Sequence, residues 1–437
     1  MKVLPTAPQG LRGTLQVPGD KSISHRSLMI GAISEGTTTV ENFLTGEDCL
    51  STLQAFRDLG VQIEQSGTDV TIHGVGLTGL KTANHALDMG NSGTTTRLMM
   101  GLLAGQPFDS HLIGDNSLQK RPMKRVAEPL AQFGGQIELT ESGTLPATVH
   151  GQTLHATNYQ LKVASAQVKS ALILAALQAD GPSTIKELLP TRDHTEIMLR
   201  QFGADVQTAA DGVTITVQPH PHLTGQHVVV PSDISSAAFF LVAGALTPNS
   251  DVTLTNVNLN PTRTGIITVL QKMQADLTIT PRESAGEPLG DLRIKTSDLQ
   301  PIELGATDIP AVIDELPLVA LLASRAQGQS VIRGAEELRV KETDRIATVV
   351  AELRKFGVRV EELPDGMIID GCPDWDIQNH QLDSYGDHRL GMMDAIAALT
   401  GDGEMTLANE GAVAVSYPTF FDDLEHLLGG GHDESIN

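Results

Sequence analysis

The chain has 437 residues, 40 % hydrophobic and 19 % charged, with 30 Lys and Arg against 53 Asp and Glu for a formal charge of −23. That length exceeds one compact core and asks for two or three globular domains, while the acidic balance excludes nucleic acid and anionic membrane surfaces, which call for basic patches. Two cysteines far apart, Cys49 and Cys372, supply neither a disulfide framework nor a zinc cluster and are expected to be ordinary buried thiols.

The start, MKVLPTAPQGLRG, lacks the apolar core and cleavage site of a signal peptide. No apolar run reaches the about 18 residues that a bilayer crossing needs, so the cytoplasm is the expected compartment. Downstream the chain repeats itself at intervals of roughly 70 residues: small polar or acidic residues open a helix, and an apolar stretch, a Gly- or Ala-containing turn and a β-branched strand follow. The copies open at Asp20 (DKSISHRSLMIGAISEGTTTVEN), Gly90 (GNSGTTTRLMMGLLAG), Ser165 (SAQVKSALILAALQADG), Ser232 (SDISSAAFFLVAGALTP), Ile313 (IDELPLVALLASRAQG) and Gly386 (GDHRLGMMDAIAALTGDG). The longest apolar run, residues 236–246, suits a buried helix.

Between these helices a second, amphipathic one ends in Leu-x-x-Phe-Gly or a variant and passes into strands, as in LQAFRDLGVQIEQ, LRQFGADVQT, LQKMQADLTIT and LRKFGVRVEE; FFDDLEHLLGG is a truncated version. A small residue just after a helix suits a left-handed C-cap, and the alternation in VQIEQSGTDVTIHG predicts a hairpin. Each unit therefore reads βαβαββ, and the fold class is α/β (α+β) with six such repeats. Val17-Pro18-Gly19-Asp20 and Val230-Pro231-Ser232-Asp233 each pass from a strand end through a proline to a helix start. They stand three repeats apart and are read as paired crossings between one domain of residues 19–230 and another of residues 1–18 plus 231–437. The tail GGGHDESIN is the one candidate for disorder.

Helix N-termini carry unpaired N–H groups and partial positive charge, so six equivalent openings are six candidate anion sites. Lys21-Ser22-Ile23-Ser24-His25-Arg26 places Ser22 and Arg26 on one helical face; it reads either as a phosphate cradle or as an N-cap serine followed by exposed charges. In Gly90-Asn91-Ser92-Gly93-Thr94-Thr95-Thr96-Arg97 two glycines permit close backbone approach to a ligand. Gln119-Lys120-Arg121-Pro122-Met123-Lys124-Arg125 packs four cations into seven residues, either a solvated face or an anion site. Lys169 and Arg192 also sit near helix openings. Asp314 in Ile313-Asp314-Glu315-Leu316-Pro317 reads as an N-cap or a general base. Lys341-Glu342-Thr343-Asp344-Arg345 reads as an exposed helical turn with internal ion pairs or as an acid/base pair beside an anion-holding arginine. Tyr385-Gly386-Asp387-His388-Arg389 repeats that arrangement with an added cation.

Two patterns are set aside. Gly74-Val75-Gly76-Leu77-Thr78-Gly79 matches a dinucleotide-binding fingerprint, but it lies where the other repeats leave a hairpin and no helix opens on its last glycine. His220, His222 and His227 fall in a Pro-rich stretch read as a solvated loop without carboxylates at metal-ligand spacing.

The ordered motifs VPGDKSISHR, MGNSGTTTR, SLQKRPM, ASAQVKSA, IDELP, LRVKETDR and GDHR resemble the 5-enolpyruvylshikimate-3-phosphate synthase family over essentially the whole chain. The resemblance implies a two-domain inside-out α/β barrel, three βαβαββ repeats per domain, with ligands bound in a cleft that closes. It implies transfer of the enolpyruvyl group of phosphoenolpyruvate to the 5-hydroxyl of shikimate 3-phosphate by addition and elimination, releasing phosphate, with no metal or organic cofactor, in a monomer. Carried over onto matching positions, Lys21, Ser22, Arg26, Ser165, Ala166, Gln167, Arg192, Asp314 and Lys341 belong to the shikimate 3-phosphate site. Lys21, Asn91, Gly93, Arg121, Gln167, Arg345 and Arg389 belong to the phosphoenolpyruvate site. Asp314, Glu342 and Lys21 are the implied catalytic residues.

This chain departs from the family pattern at Ala414-Val415-Ser416-Tyr417-Pro418, where many members carry a lysine, at Leu98, where some have proline, and at Glu337, where some have asparagine. A rival within the superfamily is the UDP-N-acetylglucosamine enolpyruvyl transferase, which typically has a reactive cysteine in the loop read here as DNSLQKRP. A non-catalytic binding module for phosphorylated sugars is the other alternative.

Overall fold

The polar-to-apolar switch that opens each repeat becomes a helix start, and in five of the six the capping side chain is an Asp or Ser. In the computed structural model, which describes residues 1–284 and 286–429, Asp20, Ser92, Ser165, Asp233 and Asp387 accept backbone N–H groups at the mouths of helices Lys21–Ala32, Gly93–Leu103, Ala166–Ala176, Ile234–Leu246 and His388–Ala398. Such caps contribute about 1 kcal/mol each. The sixth helix, Leu316–Arg325, has no side-chain cap and follows a short 3₁₀ turn, Ile313–Glu315. These six are the inner helices: all thirteen residues of Ile234–Leu246 are buried, as are those of Ala166–Ala176 from Val168 onward. Each large aliphatic side chain so buried stabilises by about 1.5–3 kcal/mol.

The six outer helices, Glu47–Asp58, Lys124–Gln132, His194–Gln201, Gly265–Lys272, Arg345–Lys355 and Phe420–Leu428, bury one face only, in keeping with their amphipathic pattern. Glycine follows where the pattern predicted a left-handed stop, with φ of +88° at Gly60, +105° at Gly203 and +78° at Gly357. The copy LQKMQAD has no glycine there, and Gln274 adopts the left-handed conformation at φ +63°.

Among the described residues five of the six small sheets have four strands in one pattern, and the sixth has three. Leu87–Asp88 runs parallel to Ser110–Ile113, which is antiparallel to Ala147–His150, which in turn pairs with Gln136–Glu138. Two sheets take their first strand from elsewhere in the chain. His227–Val229 returns to lie parallel to Glu35–Glu41, and Arg12–Leu15 lies parallel to Asp251–Asn258. Lys2–Val3 pairs antiparallel with Thr406–Ala408. The chain accordingly divides into two compact units, Gly19–Val230 and a second made of Met1–Pro18 with the chain from Pro231 onward. Each has its own hydrophobic core, around Leu98, Met99 and Leu172 in one and around Phe239, Phe240 and Leu321 in the other.

Inside the first unit, helices Gly93–Leu103 and Ala166–Ala176 meet backbone to backbone. A Cβ on Gly101 would stand 2.0 Å from the carbonyl oxygen of Ala171. Among the described residues no helix is long and apolar enough to cross a membrane.

Two expectations are corrected. Cys49 is buried but Cys372 is exposed, because it lies just after the strand Gly366–Asp370 and outside the core. His227 stands in the strand His227–Val229 instead of a loop, and His222 and His227 lie 3.7 Å and 3.5 Å from Glu35 and Glu41. Residues 430–437 of the tail expected to be disordered lie outside the described residues. The Gly74–Gly79 stretch begins in the last two residues of the strand Asp69–Val75 and opens no helix.

Candidate active site

In the unit Gly19–Val230 three inner helices open among polar side chains that bond across from one to another. Lys21 is the first residue of its helix, and its ammonium pairs with Asp48. Asp20, not Ser22, caps that helix by accepting from Ile23 N at 3.0 Å. One turn on, Arg26 is 4 % exposed. Its Nε donates to Thr195 Oγ1 at 2.6 Å, its Nη2 to Ser170 Oγ at 2.9 Å and its Nη1 to the Ser22 carbonyl at 2.9 Å. The guanidinium fork thus ties the Lys21 helix to the one opened by Ser165. Burial, reinforced by the charges of Lys21 and Arg26, lowers the His25 pKa well below its ordinary value and keeps the imidazole neutral. Arg192 is half-buried two residues before the helix His194–Gln201, which carries Thr195.

The Gly93 helix mouth collects a second group. A Cβ on Gly93 would lie 3.2 Å from Arg121 Nη1 and 3.4 Å from Arg97 Nη1, so glycine leaves the space that two guanidinium groups face. Arg121 Nη2 donates to Asn91 Oδ1 at 2.6 Å, and Asn91 Nδ2 to Asp115 Oδ2 at 2.7 Å. Gln167, on the first turn after Ser165, accepts from Arg97 Nη1 through Oε1 and donates from Nε2 to Thr94 Oγ1 at 2.9 Å. The run of four cations is divided: Arg121 turns inward at 8 % exposure, whereas Lys120 and Lys124 are exposed. Lys169 proves to be no site residue. It is 1 % exposed between Glu196 at 2.8 Å and Glu187 at 3.1 Å, and although burial opposes it, those two carboxylates raise its pKa.

In the second unit Arg345 gathers three carboxylates, Asp387, Glu342 and Asp314, with Lys341 beside Asp314 and the Arg389 guanidinium near Glu315. Arg345 opens the helix Arg345–Lys355 and is 1 % exposed. It donates to Asp387 from Nε at 2.8 Å and from Nη2 at 3.1 Å, and to Glu342 Oε2 at 2.7 Å. Burial alone would raise the Asp387 carboxyl, but the Arg345 guanidinium outweighs it and holds the pKa below the usual carboxylate range. Arg345 is shifted up: burial opposes, and Asp387 and Glu342 overcome it.

Asp314 does not cap a helix. It sits in the 3₁₀ turn with Lys341 Nζ 3.3 Å and Arg345 Nη1 3.7 Å from Oδ1, its side chain 15 % exposed. Nor is the Lys341–Arg345 stretch an exposed helical turn: a 3₁₀ helix ends at Val340, and Asp344 caps the helix that follows by accepting from Ala347 N at 3.1 Å.

Two residues behind Arg389 escaped the sequence reading. Glu315 Oε1 lies 3.8 Å from Arg389 Nη1 and accepts the hydroxyl of Ser235, which also accepts from Arg263 Nη2 at 2.7 Å. Arg263, 2 % exposed, in addition pairs with the capping Asp233 at 3.3 Å. The second acid of IDELP was the available signal for Glu315; Arg263 in PTRTG carries none. Among the described residues no three His, Cys, Asp or Glu side chains are grouped to hold a metal ion. The arrangement can neutralise anions at two helix mouths in the first unit and around Arg345 and Arg389 in the second. It also offers one partly accessible carboxylate, Asp314, beside a lysine for proton transfer.

Comparison with known proteins points the same way. The family description "EPSP synthase (3-phosphoshikimate 1-carboxyvinyltransferase)" matches residues 5–424. Curated proteins named 3-phosphoshikimate 1-carboxyvinyltransferase are similar, one from Lactiplantibacillus plantarum at 58 % identity over 96 % of this chain and 97 % of that one. Another, from Limosilactobacillus fermentum, is 59 % identical over 96 % and 98 %. The solved EPSP synthase of Acinetobacter baumannii superposes with a TM-score of 0.85 at 47 % identity, over 97 % of each chain. The enolpyruvyl transferase NikO of Streptomyces tendae, at 18 % identity and TM-score 0.76 over 97 % of each chain, shares the fold.

Proposed function

The chain belongs to the EPSP synthase family, and from that premise we infer which of its residues carry the reaction. The enzyme is a transferase that moves the enolpyruvyl group of phosphoenolpyruvate to the 5-hydroxyl of shikimate 3-phosphate and releases phosphate, by addition and then elimination. Its electrostatic problem is two phosphates and two carboxylates held together, which arginine forks suit.

In our reading Lys21, Ser22, Arg26, Ser165, the Ala166 backbone, Gln167, Arg192 and Lys341 hold shikimate 3-phosphate. Asn91, Gly93, Arg121, Arg345 and Arg389 hold phosphoenolpyruvate, with Lys21 and Gln167 touching both. The observation that supports this most is the space at Gly93, faced by Arg121 Nη1 at 3.2 Å from a Cβ position and set at a helix N-terminus, where an anion gains from both the guanidinium and the N–H groups. Arg97, which the sequence reading left out of the site, faces the same space at 3.4 Å and adds a second cation there.

Asp314 accepts the proton of the attacking hydroxyl, its direction fixed by Lys341 at 3.3 Å. Glu342 moves protons at the methylene carbon, held by Arg345 at 2.7 Å. Arg345, Arg389 and Arg121 balance charge that shifts between reactants and leaving phosphate. We place the enzyme in the cytoplasm as a monomer, in line with its acidic surface; light scattering at working concentration tests the oligomeric state.

The deciding experiment is a coupled assay of phosphate release. Release with phosphoenolpyruvate and shikimate 3-phosphate, and none with UDP-N-acetylglucosamine, supports this reading. Release with the aminosugar nucleotide instead, or tight sugar-phosphate binding with no release at all, overturns it.

A further inference from the structure

A chain of hydrogen bonds runs beneath the two anion-binding groups of the unit Gly19–Val230 and has no part in the roles above. His25 is wholly buried on the helix that opens with Lys21 and Ser22. Its Nδ1 stands 2.7 Å from Thr52 Oγ1, and that oxygen 2.6 Å from Thr95 Oγ1. Thr95 gives its hydroxyl proton to Ser92 Oγ at 2.6 Å, and Ser92 Oγ also accepts the Thr95 N–H at 3.1 Å as the cap of the Gly93 helix. Three helices are thereby laced together, Lys21–Ala32, Glu47–Asp58 and Gly93–Leu103.

Counting protons gives the chain a direction. A hydroxyl has one proton to donate. Thr95 gives its own to Ser92, so its 2.6 Å contact with Thr52 takes the Thr52 proton in preference to the Asp48 carbonyl, which is 3.4 Å from Thr52 Oγ1. Thr52 has then none left for His25, and Nδ1 must be the donor. The neutral imidazole therefore carries its hydrogen on Nδ1, and Nε2 is a bare acceptor, closed off from solvent with no hydrogen-bond partner among the described residues. An unsatisfied buried acceptor weakens a fold. A leucine would fill the site without that loss but could not donate to Thr52.

We propose that His25 is a positioning residue: acting through Thr52 and Thr95, it seats Ser92 and the Gly93 helix mouth relative to Lys21, Ser22 and Arg26, so that an anion bound at one group finds the other in place. This rests on the assignment of those two groups to the two substrates. Its consequence is energetic coupling between the substrates within one unit.

The test uses the full-length enzyme and steady-state kinetics, with His25→Ala and Thr52→Val to cut the chain. His25→Asn, whose amide N–H falls near the place of Nδ1–H, and Thr52→Ser, which keeps the hydroxyl, restore it. At saturating shikimate 3-phosphate, the KM for phosphoenolpyruvate should rise about tenfold in the two cut variants, within the usual range for coupled sites, while kcat changes less than about threefold. The two restoring variants should recover most of that loss. A lowered Tm in the cut variants with unchanged KM would mean a structural role only and would overturn the proposal. So would equal losses in the cut and restoring variants. Should His25→Ala fail to fold, the near-isosteric Thr52→Val and Thr52→Ser pair decides alone. Lys21→Ala is the control: full activity in that variant sinks the assignment of the two groups itself, whereas an inactive Lys21→Ala beside four indistinguishable variants sinks only the role of His25.

Discussion

Asp387 is where the second unit's electrostatics can be measured. The carboxylate is buried and accepts two bonds from Arg345, at 2.8 and 3.1 Å, one from Thr343 Oγ1 at 3.1 Å and the capping N–H of Arg389 at 2.9 Å. Each bond to the guanidinium is worth about 1.5–3 kcal/mol and the cap about 1 kcal/mol, offset in part by the desolvation of the carboxylate itself. Removing one partner of a buried pair leaves the other uncompensated at about 3–5 kcal/mol. That is the expected loss for Asp387→Ala, read as a lower urea midpoint at unchanged m.

Asp387→Asn keeps a capping oxygen and should recover about 1 kcal/mol of it. The sign with pH follows from the lowered native pKa. The charge stabilises above the unfolded value of about 3.9 and is lost as pH falls through the native value, so wild type and Asp387→Asn should converge in acid. A loss below about 1 kcal/mol for Asp387→Ala, against the 3–5 kcal/mol expected of a broken buried pair, would refute this account.

Other outcomes follow from the same geometry. Asp314→Ala should lower kcat by about 10²–10⁴ while sparing phosphoenolpyruvate binding; retained turnover would remove Asp314 as the base. Gly101→Ala puts a methyl 2.0 Å from the Ala171 carbonyl and should cost at least about 1–3 kcal/mol in chemical unfolding. Gln274→Gly relieves a left-handed non-glycine residue and should stabilise by about 0.5–1 kcal/mol in the same measurement. Burial, then Glu352, raises the Asp394 pKa well above normal. Above about pH 4 the unfolded chain sheds a proton that native Asp394 keeps, so this group makes stability fall with rising pH. Asp394→Asn should flatten that fall in melting curves taken from pH 4 to 7.

The helix mouths were legible because short polar clusters stand directly before apolar runs, and such clusters have few uses other than capping or ligand contact. The Leu-x-x-Phe-Gly stops were legible for a similar local reason, and even the exception at Gln274 keeps the backbone geometry. What could not be read were pairings across the chain. Nothing local distinguishes Lys169, sealed against Glu187 and Glu196, from Arg121, which faces the open space at Gly93. Likewise the Asp314 carboxylate reads as a cap from its neighbours, until Lys341, 27 positions later, is seen beside it. The Arg263–Ser235–Glu315 network joins two repeats and leaves no periodic trace.

The strands Lys2–Val3 and Arg12–Leu15 are made long before their partners, since Asp251–Asn258 and Thr406–Ala408 lie far downstream. On the ribosome, every strand needed to complete the sheets of Gly19–Val230 is synthesised within that stretch, so this unit can mature while the leader waits unpaired. The other unit can close its last sheet only after Thr406–Ala408 has been made. Premature termination should therefore yield a well-formed front unit carrying an idle leader, and protease resistance in such fragments should be confined to it.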